Sequence, residues 1–238
     1  MIFEQISPNQ VRKNDKYEDD LMTNEKLVAF TFDDGPMEYS EESTAMNILR
    51  TLEQYGQRAT FFYVGGQINE DTKKEIEFAQ SIGCEAGNHS YSHGHLNESS
   101  KEEVEKELAR TTELLEKYTR KKPVLARIPY LEQSDTILNG ADFPLIACSV
   151  DSGDWAKAST EEIIKRIMDA DANGDLENAV VLLHEHYETT MQAVKILIPD
   201  LMEKGYRFVT VSELAKHNGI ALESHKVYEK IESAKANS

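Results

Sequence analysis

The sequence predicts an α/β protein built as an irregular (β/α) barrel with about seven parallel strands. Three observations point there. Seven short runs are apolar on both faces, as parallel strands covered by helices must be. Stretches with helical spacing of apolar residues lie between them. The 238 residues of the chain are close to the ~250 of a single barrel of eight strand–helix units, one strand more than the runs found. A doubly wound open sheet is the second choice, and in both architectures function belongs at the carboxyl ends of the strands.

The first strand is Leu27–Phe32, followed by a helix on which Ala45, Ile48, Leu49 and Leu52 share one face. Ala59–Val64 and Cys84–Gly87 are the second and third strands. Ser99 and Glu102 have capping-box spacing and open a helix carrying Val104, Leu108, Leu115 and Tyr118. Val124–Arg127 and Leu145–Val150 are the fourth and fifth strands, and Ser159 with Glu162 caps the helix after them. Val180–His184 is the sixth strand. The next helix, about Thr189 to Lys204, contains Pro199 and should kink or end early there. Phe208–Val211 is the seventh strand. Residues 1–25 are polar and irregular, with Pro8 and the run Tyr17-Glu18-Asp19-Asp20. Residues 26–220 form one domain, since no repeat or Pro/Gly/Ser linker divides them. Residues 221–238 are a polar tail, a loose helix or disordered.

With 26 Lys and Arg against 43 Asp and Glu, the net charge is −17. A polyanion is not steered to nucleic acid or to an anionic membrane surface, so a neutral or cationic substrate is expected. No apolar run approaches the ~18–20 residues of a membrane span, so the chain does not insert into a membrane. Met1 to Leu21 shows neither a basic region followed by an apolar stretch nor a cleavage-like tail. The chain is therefore read as cytoplasmic, or as one whose signal or anchor was removed before the numbering begins. Cys84 and Cys148 lie inside apolar stretches and read as buried free thiols. A monomer is the default.

Ionisable residues follow five of the strands. Asp33 and Asp34 enter a Gly-Pro turn, a setting that turn chemistry alone could explain. On a strand end, however, alternation points neighbouring carboxylates in different directions, one toward a metal and one toward a reacting centre. His89 and His93 are spaced i and i+4, the spacing of two-His metal sites if the segment turns helically; His95 nearby favours a merely polar loop. Two histidines and one aspartate make a three-ligand site with open positions for a catalytic divalent metal. His184 ends an apolar run and has the ordinary pKa range of a general acid. Arg127 would tether Asp33 if buried beside it. Asp154, next to Trp155, could orient an imidazole, and Asp151 competes for that role.

Taken in order, TFDDGP, HSYSH, RIPY, DSGDW and LLH resemble the NodB-type polysaccharide deacetylases, carbohydrate esterase family 4, and most of all their acetylxylan esterase and chitooligosaccharide deacetylase branch. The match runs from about Lys26 to Ala215, which would make 26–220 the catalytic domain. The resemblance implies the NodB-homology deacetylase fold and metal-dependent removal of acetyl groups from a polysaccharide or oligosaccharide. It makes Asp33 the general base that deprotonates a metal-bound water, and Asp34, His89 and His93 the metal ligands. The metal would be zinc first, with cobalt or nickel accommodated. Arg127 would tether Asp33, the backbone N–H of Tyr130 would stabilise the oxyanion, and His184 would protonate the leaving group with Asp154 orienting it. Trp155 and Leu182, beside Tyr130, would shape the acetyl pocket. The substrate would be O-acetylated xylan or an N-acetylglucosamine polymer, placing the protein outside the cell or on its surface.

Two features depart from the family. RIPY is followed by Leu131-Glu132 where two consecutive prolines and a glycine are more usual, which bears on groove shape. The stretch from Tyr130 to Leu145 leaves little room for a large lid, so the site should be open. Two other functions compete: hydrolysis of a small amide or ureide on the same scaffold, which the intact metal triad disfavours, and non-catalytic carbohydrate binding, which the retention of Asp33 and His184 disfavours.

Overall fold

The structure is a computed structural model that describes residues 25–232. The expected irregular segment therefore lies outside the described residues except for its last residue, as do residues 233–238 of the tail.

The organising element is β1, Lys26–Gly35. Its odd and even residues face opposite ways, as the pleat requires. Val28, Phe30 and Phe32 pack into the core under the helices, while Leu27 and Ala29 join a second cluster with Phe62, Leu125, Ile146 and Val180. Parallel neighbours are β2 (Thr60–Tyr63), β6 (Val180–His184) and β7 (Tyr206–Phe208). Outward from these come β3 (Glu85–Asn88) beside β2 and β5 (Val150–Asp151) beside β6, giving the order β3-β2-β1-β6-β5 with β7 on β1. A two-stranded ladder of β4 (Leu145–Ile146) and β8 (Val227–Tyr228) is linked to β3 through Ala126, which bridges Asn88 on one side and Leu145 on the other.

β4 and β5 thus stand at opposite ends of this ladder, yet residues 147–149 alone separate them. Four residue steps reach at most ~14 Å, so the sheet must curl until its ends approach. That is the irregular barrel, and its strands are all parallel, as expected. Helices cover its outer surface: α1 (Thr44–Tyr55), α2 (Lys73–Ser81), α3 (Lys101–Thr119), α4 (Asp135–Gly140), α5 (Thr160–Asn173), α6 (Glu188–Glu203) and α7 (Val211–His217). Ala45, Ile48, Leu49 and Leu52 are the buried stripe of α1.

Several boundaries differ from expectation. The fourth strand is reduced to the single bridging residue Ala126, with Val124 exposed at the rim. The fifth divides into β4 and β5 because the Arg127 side chain takes the carbonyls at the break: Nε donates to Ile146 O and Nη2 to Ala147 O, each at 2.8 Å. The seventh ends at Phe208, because Thr210 leaves the strand to cap α7. The capping box of α3 is Ser100 with Glu103, one residue later than expected in the doublets Ser99-Ser100 and Glu102-Glu103; that of α5 is Ser159 with Glu162. Pro199 does not end α6, which continues to Glu203. The polar tail is corrected over its first part, where β8 pairs with β4 and Ile231 is fully buried.

Candidate metal centre and active site

Strand register brings the site together. In the parallel ladder Asp33 lies opposite His184, and Gly35, Tyr63 and Asn88 form a row across β1, β2 and β3. His89 follows that row directly, its N–H donating to Tyr63 O at 3.0 Å. Residues far apart in the sequence therefore leave the barrel at one height.

Alternation was expected to separate Asp33 and Asp34, and it does not. The register shifts between Asp33 and Gly35, leaving Asp34 as an extra residue with φ 72°. Such a bulge redirects a side chain at a strand end. Both carboxylates consequently face His89: its Nε2 lies 3.7 Å from Asp33 Oδ2 and 3.4 Å from Asp34 Oδ1. His93 Nε2 is 2.9 Å from the same Asp34 oxygen. His93 reaches it from a loop with φ 55°, not from the helical turn that its spacing suggested.

The donor atoms of Asp34, His89 and His93 lie within 4.8 Å of one another, and no other such group of three occurs among the described residues. Their chemistry fits a divalent cation. His89 Nδ1 lies 2.7 Å from the carbonyl of Arg127; a carbonyl only accepts, so Nδ1 carries the proton and Nε2 offers its lone pair inward. Asp34 Oδ1 is buried and receives no hydrogen bond from any described residue. Burial favours the protonated form of Asp34; protonated His89 and His93 beside it would outweigh burial and hold the carboxyl well below the usual carboxylate range. A buried anionic oxygen and an imidazole lone pair facing one point are suited to a borderline divalent cation.

Asp33 is held from behind. Arg127 is completely buried, and its Nη1 donates to both Asp33 Oδ1 and Thr31 Oγ1 at 2.8 Å. With Ile146 O and Ala147 O bound as well, and the Phe62 ring 4.4 Å below it, the guanidinium is almost fully satisfied. This leaves Asp33 Oδ2 facing the metal ligands.

Of the two candidate carboxylates, Asp154 is the one that meets the His184 ring. Its Nδ1 is 2.8 Å from Asp154 Oδ1, and its backbone N–H donates to Oδ2 at 2.7 Å. Thr190 Oγ1 and the Trp155 N–H also donate to that carboxylate. Asp151 instead binds the Gly153 N–H and the Trp155 indole. With Nδ1 committed, Nε2 turns inward, 4.0 Å from Asp34 Oδ2. Burial lowers the His184 pKa, but Asp154, Asp33 and Asp34 together carry it above the ordinary histidine value. Asp154→Asn should therefore move the alkaline limb of the pH–kcat profile to lower pH. It should also reduce kcat on the order of 10²-fold, the scale of a lost general acid. A profile with an unmoved limb would remove Asp154 from this role.

Tyr130 and Trp155 are exposed, and Leu182 is buried opposite Thr31 in the parallel ladder. Tyr130 adopts φ 59° and meets the His93 ring edge-on at 5.0 Å. Five of the chain's seven histidines gather here, because His95 stacks on Tyr130 and His186 lies 5.8 Å from His184. Sequence reasoning passed over His186, Tyr187 and Thr190, which carry no motif of their own, and gave no role to Thr31, the first residue of TFDDGP.

It also passed over Glu75 and Glu185. Both are buried, with Met37 N–H donating to Glu75 Oε2 at 3.0 Å and both Glu185 oxygens without a donor from any described residue. Glu185 packs so closely under Gly35 that a Cβ there would lie 1.7 Å from its Oε1, which explains why this turn needs glycine. Burial pushes Glu75 up to about 7, and burial with the neighbouring Glu75 charge pushes Glu185 well above the normal range. Because these folded-state values exceed the unfolded one, the native state binds the extra protons. Their contribution is complete below the unfolded value and is lost as pH rises through the folded values. The slope is about 1.4 kcal/mol per pH unit for each group. Glu185→Gln should therefore match wild type in Tm at pH 5 and exceed it at pH 8; equal values at both would contradict the buried pair.

A sequence model of a family described as polysaccharide deacetylase matches residues 20–143. The chain is 32% identical over 206 residues to a peptidoglycan-N-acetylglucosamine deacetylase of Bacillus cereus, covering 83% of this chain and 92% of that protein. It is 32% identical over 197 residues to the peptidoglycan-N-acetylmuramic acid deacetylase PdaC of Bacillus subtilis, covering 83% of this chain and 40% of the relative. It therefore spans about two fifths of that longer protein. Among solved structures, a family 4 acetyl xylan esterase from Clostridium thermocellum, in complex with a cobalt ion, superposes with a TM-score of 0.79 at 31% identity, covering 87% of this chain and 99% of that one.

Proposed function

The chain belongs to the polysaccharide deacetylase family, and from that premise we propose that it hydrolyses acetyl groups from carbohydrate with the help of a divalent metal ion, zinc first. The observation that supports this most is the convergence of two carboxylates and three histidines at one end of the barrel. Asp34, His89 and His93 would hold the ion. When bound, such an ion lowers the pKa of water toward about 7 and polarises an acyl oxygen.

The protein's own groups divide the remaining work. Asp33 Oδ2, free because Oδ1 is bound to Arg127, accepts the proton of the attacking water. The backbone N–H of Tyr130 stabilises the tetrahedral oxyanion as charge develops on it. His184 Nε2 gives a proton to the departing alcohol or amine while Asp154 holds Nδ1–H. Leu182 and Trp155 enclose the acetyl methyl. Asp33 and His184, at the same height on neighbouring strands, stand on either side of the scissile bond, so one takes a proton as the other supplies one.

The substrate is an acetylated glycan, O-acetylated xylan or an N-acetylglucosamine polymer, with the strongly acidic surface favouring a neutral chain. The reaction lies outside the cytoplasm, where such polymers occur, and the working unit is a monomer. Among the described residues no helix is long and apolar enough to cross a membrane. The test is acetate release from acetylated xylan and from chitooligosaccharides, side by side, in chelated protein before and after zinc or cobalt is restored. Metal-restored release from xylan alone makes it an O-acetyl esterase, and release from the amino-sugar oligomers makes it an N-deacetylase. No release from either with metal bound would favour the small-amide hydrolase.

A further inference from the structure

The departure from the family pattern at Glu132 has a structural counterpart. Glu132 Oε2 accepts the N–H groups of Leu96 and Asn97 at 2.7 and 3.0 Å, and Oε1 lies 2.7 Å from His95 Nδ1. One carboxylate thereby braces the loop that follows the metal ligand His93. The His95 ring in turn lies flat on Tyr130, with centroids 4.0 Å apart and planes 18° from parallel. Tyr130 is itself fixed to His93, by the edge-on ring contact at 5.0 Å and by its hydroxyl, which donates to His93 O at 3.3 Å.

His95 is thus both immobilised and exposed. One nitrogen is bound, one face is covered, and still 70% of the side chain is open to solvent. A flat ring held this way has already lost the freedom that binding would otherwise cost. With Nδ1 directed at the carboxylate, Nε2 faces outward.

We propose that His95, backed by Tyr130 and braced by Glu132, is a stacking subsite for a pyranose ring adjoining the acetylated unit, and sets a preference for oligomers over single sugars. The inference rests on the carbohydrate deacetylase reading. The C–H face of the pyranose packs on the outer face of the imidazole, whose π cloud is its negative side, and a ring hydroxyl hydrogen-bonds to Nε2. The Tyr130 ring contacts both His93 and His95, at 5.0 and 4.0 Å, which sets His95 beside the metal centre where the next unit of a chain would lie.

The test compares wild type, His95→Ala and His95→Phe on acetylated oligosaccharides from a single unit to a pentamer. In wild type KM should fall with length. His95→Ala should raise KM for the pentamer about tenfold, or about 1.4 kcal/mol, and flatten the dependence on length, with kcat changed less than twofold. His95→Phe, which keeps a flat ring, should recover most of the loss. Binding of the unacetylated pentamer, measured by calorimetry, needs no turnover and separates this claim from the activity. A tenfold weaker pentamer in His95→Ala supports the subsite even if no acetate is released. Equal affinity of wild type and His95→Ala, or a loss confined to kcat, overturns it.

Discussion

Asp33→Asn is expected to bind a divalent ion as wild type does and to turn over at least a hundredfold more slowly, the usual scale for a lost general base. The separation follows from the geometry. Asp33 faces the metal ligands through Oδ2, yet the three convergent donor atoms belong to Asp34, His89 and His93. Asparagine keeps an oxygen to accept from Arg127 Nη1 but cannot take a proton. The exchange also removes the anion beside a buried guanidinium, so stability should fall by about 1–3 kcal/mol, less than the 3–5 kcal/mol of breaking a buried pair outright, because Thr31, Ile146 and Ala147 still receive its N–H groups. Turnover at substrate saturation, a metal titration and a Tm check the three parts. Wild-type turnover in the variant would remove Asp33 from its role.

His93→Ala should lose the metal and, with it, turnover. His93 supplies the donor nearest to Asp34 Oδ1, at 2.9 Å, and leaves an aspartate and one histidine, too few for a stable site of this kind. It is a cleaner substitution than His89→Ala: His93 is only partly buried, whereas His89 is buried and hydrogen-bonded to Arg127 O. His93→Ala should therefore fold normally, retain no zinc after dialysis and release acetate at background rates even with metal added. Metal retained at wild-type affinity would contradict the ligand set.

The site was legible because its residues stand at strand ends. An apolar run followed by Asp, His or Arg can be read without coordinates, since parallel strands deliver such residues to one rim. The height at which each arrives depends on register, which long-range packing fixes, and there the reading failed locally. Strand alternation predicts that Asp33 and Asp34 point apart, but the bulge at Asp34 turns both toward His89. The break in the fifth strand reflects carbonyls captured by Arg127, a contact across nineteen and twenty residues. Glu185 in His184-Glu185-His186 reads as a solvated loop residue; only the turn at Gly35 closing over it shows that it is buried. His95 argued for a merely polar loop until Glu132 was seen to pin it. The slip in the α3 cap is a smaller failure, since Ser99-Ser100 and Glu102-Glu103 offer two frames with equal chemistry.

The most direct test of the account is a single titration of zinc into chelator-treated protein, with heat and acetate release recorded together on an acetylated oligosaccharide. The account predicts one ion bound per chain, acetate release rising in proportion and levelling at the same equivalence point, and neither signal in His93→Ala. Full release before any ion is bound, or stoichiometric binding undiminished in His93→Ala, would contradict it.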